Sequence, residues 1–160
     1  MEEKLEKRMY FFVSQNMAPI YMGIQAGHAA LEYAVVYGNR KEFQNFMMFH
    51  KTWIILNGGT TNDPTNGLPI GTLDQIAADL RFNKIRYSWF REPDLNNALT
   101  ALCFICDERV FNKTDYPDFN EFLFDADTEL YEGLYEKWFD SIGGKQNLFL
   151  RNLLNGKKLA

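Results

Sequence analysis

The sequence predicts an α/β layered domain, with helices on the faces of a mixed sheet. Two observations carry that prediction. β-rich and helix-periodic segments alternate between residues 9 and 108, in the order strand, helix, helix, strand, helix, strand, strand. The 160 residues are 46% hydrophobic and 16% aromatic, which supplies a sizeable core and excludes a disordered chain. The length fits one domain.

"MYFFVSQ" (9–15) is rich in β-formers and follows the charged leader "MEEKLEKR", so it reads as the first strand. "NMAP" turns the chain, and Pro19 suits the first turn of a helix. Ile20, Ile24, Leu31 and Val35 then recur at helical spacing, and Gly38 closes the segment. "RKEFQNFMMFH" (40–50) reads as a second helix and "KTWIILNGG" (51–59) as a buried strand. Residues 57–69, "NGGTTNDPTNGLP", are turn-rich. "TLDQIAADLRFN" (72–83) has Thr72 as its N-cap and Leu73, Ile76, Ala77 and Leu80 as its apolar face. "IRYSWF" (85–90) and "TALCFICDE" (100–108) are strands joined by "REPDLNNAL" and expected to be neighbours.

After Glu108 the texture changes. Residues 115–140 hold nine acids against one lysine, Lys137, among many Phe and Tyr side chains. This stretch reads as a solvated helical face that covers part of the core. "KQNLFLRNLLNGKK" (145–158) reads as an amphipathic helix with its basic residues late, where they suit the helix dipole. Within it Leu148, Phe149, Leu153 and Leu154 lean to one side. Such a side must be buried against its own domain or a neighbour, so a homo-oligomer, dimer or tetramer, is expected.

The net charge of −4 and the pI near 5.2 argue against a protein that coats duplex DNA, which needs a broad basic surface. They leave room for a local phosphate or nucleotide pocket. Cys103 and Cys106 stand three apart on a predicted strand, where they point to opposite faces and cannot share a metal. Two cysteines make no disulfide framework, which points to a reducing, cytoplasmic compartment. The leader carries no apolar stretch of signal-peptide type, and no run approaches the ~18 apolar residues of a membrane span. No metal or cofactor is expected, because no His, Cys, Asp or Glu cluster has ligand spacing. The two glycines of "ILNGGTTN" (55–62) offer a weak phosphate-cradle signal, without GK[ST] or GxGxxG, and a plain turn is the preferred reading.

"MGIQAGHAALEYA" (22–34) raises a sharper question. On a helix, Gln25, His28 and Glu32 form a polar stripe beside the Ile20/Ile24/Leu31 stripe, with Gly23, Ala26, Gly27 and Ala30 on another flank. Each glycine gives up about 1 kcal/mol of helix propensity, which suggests close approach of a backbone or a ligand. Tight packing on the sheet, with His28 bonded to a loop carbonyl, explains the same pattern.

The pattern is more specific than its parts. "IQAGHAALEYA" after a first strand and a Pro-containing turn resembles the first helix of the type 2 peptidyl-tRNA hydrolase family, which carries a Gln, two residues, then His-Ala at this place. "FREPDLNNALTALCFI" (90–105) is similar to the family's late segment, in which an Arg precedes a turn and a Thr opens the last strand. The resemblance covers residues 8–108. It implies a single three-layer α/β/α core over residues 1–108, with a mixed four-stranded sheet. Residues 109–160 form a C-terminal α extension, packed on that core or at an oligomer interface. It also implies functional roles for Gln25, His28, Arg91 and Thr100. The family's lysine, four residues before the Gln, is replaced here by Tyr21, and its aspartate, three before the Arg, by Ser88.

Loss of both charged groups is expected to cripple hydrolysis, since removing even one stabilising group costs on the order of 10²–10³ in rate. The remaining donors and aromatics suit a small nucleotide. Arg grips phosphate, and stacking on an aromatic ring contributes about 1–3 kcal/mol per base. The expected ligand-binding residues are Tyr21, Gln25, His28, Arg91, Thr100 and Trp89, with Gln25 and His28 facing Arg91 and Thr100. No catalytic residue is assigned. Divergent proteins of this kind resemble small phage proteins, which implies sequestration of (cyclic) nucleotide immune signals in a host cytoplasm. The alternatives are an active peptidyl-tRNA hydrolase with a rearranged site, in which Glu92 or Asp94 supplies the acid, and an interaction protein built on residues 115–140.

Overall fold

β1 (Lys7–Val13) is buried without a break from Met9 onward, as a strand must be when it has neighbours on both edges and helices on both faces. The computed structural model, which describes residues 5–61, 71–125 and 133–160, places it inside a mixed four-stranded sheet of order β2-β1-β4-β3. β2 (Thr52–Asn57) runs parallel to β1, in register from Arg8 opposite Thr52 to Val13 opposite Asn57. β3 (Tyr87–Glu92) and β4 (Ala98–Asp107) form an antiparallel hairpin, as expected of neighbours. Its turn closes through a short 3₁₀ segment, Pro93–Leu95, and two left-handed residues, Asn96 and Asn97. Asparagine tolerates that conformation better than other non-glycine residues.

Alternation along the strands divides the core between two layers of helix. Met9, Phe11, Val13, Ala101, Cys103 and Ile105 face α1 (Pro19–Tyr37), with Phe43 of α2 (Lys41–Asn45) and Phe46 beyond it. On the opposite face the rings of Tyr10 and Phe12 meet Phe104 at 6.1 and 6.3 Å. There α3 (Thr72–Phe82) buries Leu73, Ile76, Ala77 and Leu80. Gly58 marks the close approach on this side, because a Cβ there would lie 2.7 Å from Leu73 Cδ1 and 3.2 Å from Phe12 Cβ.

Several expectations are corrected. Ile20, Ile24, Leu31 and Val35 are the exposed side of α1, and the buried side carries Gln25, Ala26, Ala29 and Tyr33. The predicted helix 40–50 is two pieces: α2, then a π-helical turn, Phe46–His50, that ends on left-handed Lys51. β2 is an edge strand with only Leu56 buried, and Leu159 bridges to it. Gly71, not Thr72, occupies the N-cap of α3. Of the turn-rich stretch 57–69, residues 62–69 lie outside the described residues.

The chain divides into two compact units, Lys7–Ile105 with Lys157–Ala160, and Met1–Glu6 with Cys106–Gly156. The second contains α4 (Glu108–Phe111), α5 (Phe119–Asp125), α6 (Leu134–Ser141) and α7 (Lys145–Leu154). Its core is Val110, Leu134, Trp138, Ile142 and Leu150, with the Trp138 indole N–H donating to Pro117 O at 2.9 Å. Arg151 is buried there, donating to Arg109 O at 2.7 Å and to Asp118 Oδ1 at 2.6 Å. α7 buries Leu150 and Arg151 within its own unit, and the predicted side of Leu148, Phe149, Leu153 and Leu154 is half-buried. Of the acids of the 115–140 stretch, Asp115, Asp118, Glu121, Glu136 and Asp140 are exposed. Among the described residues no helix is long and apolar enough to cross a membrane.

Candidate functional site

The β3–β4 hairpin decides where each predicted site residue points. Phe90 pairs with Ala101, but Arg91 pairs with Leu99, so Thr100 is an extra residue in β4. This bulge turns Thr100 toward α1. Its hydroxyl donates to Gln25 Oε1 at 2.6 Å, and Gln25 Nε2 donates in turn to Glu92 Oε2 at 2.8 Å. Gln25 and Thr100 are 6% and 1% exposed, so this is an internal knot with little of either side chain left for a ligand. His28 stands one turn further along α1, edge-on to Phe90 with centroids 4.3 Å apart. Its Nδ1 is buried without a hydrogen-bond partner.

Ser88, which stands where the resemblance would place an aspartate, is also engaged. Its hydroxyl lies 2.7 Å from Ala29 O and 3.2 Å from Cys103 Sγ. Burial pushes the Cys103 thiol up to about 12, so it stays protonated at neutral pH. Tyr21, where the lysine would stand, is 58% exposed on the first turn of α1.

Arg91 and Trp89 lie on the other side of the sheet. Strand alternation sends Tyr87, Trp89 and Arg91 toward α3 while Ser88 and Phe90 face α1. The expected meeting of Gln25 and His28 with Arg91 therefore does not occur, although Gln25 does meet Thr100. Arg91 Nη1 donates to Asn97 O at 3.2 Å, which anchors the guanidinium and leaves its other nitrogens available. Its carbon sits 5.2 Å from the centre of the Trp89 ring, within cation–π range. The Tyr87 ring meets Trp89 edge-on at 5.9 Å. A groove of about 590 Å³ runs between these side chains and α3, where Ala77 and Ala78 leave room and Arg81, Phe82 and Asp74 form the far wall. Burial raises the Tyr87 hydroxyl above its ordinary value, so it remains a neutral donor.

Sequence reasoning missed Arg81 and Tyr87 as partners of this groove. Arg81 follows Ala77 by one turn and Ala78 by three residues, a signal legible only once α3 is known to cross Trp89. The "NGGTT" loop is a plain turn. Gly58 N donates to Val13 O, Gly59 N to Asn57 Oδ1, and Thr60 N to Thr72 Oγ1, so the amides of both glycines and of Thr60 are already engaged. Among the described residues no cluster of His, Cys, Asp or Glu is arranged to hold a metal ion. No protein-family model matches the chain, and no curated protein matches it.

Proposed function

We propose that the protein is a non-catalytic nucleotide-binding protein whose ligand lies in the β3–α3 groove. The observation that carries this reading is the Arg91 guanidinium held over the Trp89 ring, with a second guanidinium, Arg81, on the same groove. Two guanidiniums offer bidentate donors to phosphate. Trp89, 42% exposed, offers a face for a base. A volume near 590 Å³ lies within the ~300–1,000 Å³ of small-ligand sites. The engagement of Ser88 with Ala29 and Cys103, and the aromatic Tyr21, support binding without turnover, as sequestration of a (cyclic) nucleotide requires.

A second reading, a peptidyl-tRNA hydrolase with a rearranged site, rests on one contact, the Glu92 carboxylate against Gln25. Calorimetric titration with mono-, di- and cyclic nucleotides, beside a peptidyl-tRNA cleavage assay, separates the two. Nucleotide binding by the wild type that Arg91→Ala weakens by ~1.5–3 kcal/mol supports the groove. Binding to none of the nucleotides overturns it, and cleavage abolished by Glu92→Gln establishes the second reading.

A further inference from the structure

α1 exposes the residues a helix normally buries. Ile20, Leu31 and Val35 are 69%, 68% and 82% exposed, and Ile24 is 44% exposed beside them. Next to this ridge runs a seam of small residues, Gly23, Gly27, Ala30 and Ala34. A Cβ added at Gly23 or Gly27 would meet nothing within 4 Å, so no packing contact among the described residues accounts for either glycine. Gly27, Ala30 and Ala34 of the seam form one wall of an apolar groove of about 640 Å³, closed on the far side by Met47 and Trp53.

We infer that this face binds a second copy of the chain, with two α1 helices antiparallel about a two-fold axis at Gly27. Such an axis sets residue i of one helix opposite residue 54 − i of the other. Ile20 then falls opposite Ala34, Ile24 opposite Ala30, Leu31 opposite Gly23, and Gly27 opposite itself. Each large side chain in this run meets a small one, the condition for ridges to enter grooves when one surface pairs with itself. The glycines at the axis let the backbones approach closely. No acidic or basic residue of α1 lies on the ridge or the seam, and Lys51 is the one Lys, Arg, Asp or Glu that lines the groove beside them. Burying a large apolar side chain removes on the order of 100 Å² from water. The ridge with Met47 and Trp53 thus supplies several hundred Å², comparable with the ~800 Å² per partner of a specific interface. A small apolar molecule in the groove would leave Ile20 and Val35 in water, and a second copy covers them.

Sedimentation velocity of the full chain between 1 and 100 µM tests the assignment. The wild type is expected to be a dimer, and Leu31→Arg and Gly27→Leu to be monomers. Because Gly27 has open space around it, Gly27→Leu should melt no lower than a monomeric Leu31→Arg control, which separates lost pairing from lost folding. Gly27→Cys should be joined to its copy by a short bis-maleimide, while the buried Cys103 and Cys106 of the wild type give no such product. A wild type that stays monomeric overturns the inference, and one that also takes up a fluorescent long-chain fatty acid assigns the groove to that ligand instead. A dimer that survives both substitutions pairs through another face and overturns it equally.

Discussion

The two sides of β3 carry similar polar residues in opposite conditions. Toward α1, Ser88 bonds Ala29 O, and Glu92 holds Gln25, which holds Thr100. Toward α3, Arg91 keeps one internal hydrogen bond among five possible donors, and Trp89 is 42% exposed. The difference teaches that residue type alone does not identify a binding group. Donors already matched inside the fold stabilise it, and donors with free valence are available to a ligand.

The contrast breaks most severely at Ser88. Ser88→Asp introduces the aspartate that the resemblance to the hydrolase family would place here. It also puts a carboxylate beside a carbonyl and a protonated thiol in a buried position. A loss of at least ~3 kcal/mol is expected in urea unfolding, with no gain in peptidyl-tRNA cleavage. Gln25→Leu should come next. It leaves the Thr100 hydroxyl and the Glu92 carboxylate with only their 3.4 Å bonds, to Phe90 O and from Asp94 N, at about 1–3 kcal/mol, and should leave nucleotide affinity unchanged. If affinity falls with stability, the two sides of β3 are not separate.

A smaller effect sharpens the comparison in the helical unit, where Arg151 is enclosed and Arg91 is not. The hydrogen bond from Lys113, and then that from Arg151, hold the Asp118 carboxyl below its ordinary value. A lowered folded-state value contributes stability above the ordinary carboxylate pKa of about 3.9, lost as pH falls through the lowered value. The melting temperature of wild type should therefore fall more steeply below about pH 4 than that of Asp118→Asn. The smallest expected change is in the stability of Arg91→Ala, within ~0.5 kcal/mol of wild type by the same urea titration. A larger loss would show Arg91 to be structural.

The layered fold and its element order were legible because β-rich runs and helical periodicity follow local rules. The mixed sheet, its four strands and its β3–β4 hairpin agree with what the sequence predicted. The site was legible only in part. Gln25 and Thr100 do meet, and so do Trp89 and Arg91, but the pairs lie on opposite sides of the sheet. Strand alternation predicts that separation for residues 88–91. Placing Thr100 required knowing the bulge, and no residue in "NALTAL" announces one. The orientation of α1 was missed for a different reason. Periodicity shows that one stripe differs from the rest, without saying whether the sheet or solvent receives it. Here Ala26 and Ala29 let the helix lie close to the strands, and Tyr33 fills the remaining space.

The bulge at Thr100 has a genetic corollary. Removing that one codon would leave a ladder of unbroken pairs from Tyr87 to Glu92, at the cost of the bond that Thr100 O accepts from Ser14 N at 3.0 Å. It would also erase the hydroxyl that donates to the amide oxygen of Gln25, while Arg91, whose phase is set on β3, kept its place. In-frame deletions across residues 98–101 are thus a cheap route by which mutation could rewire one side of this sheet and spare the other. A deletion scan of that window would find the two sides inherited as separate traits.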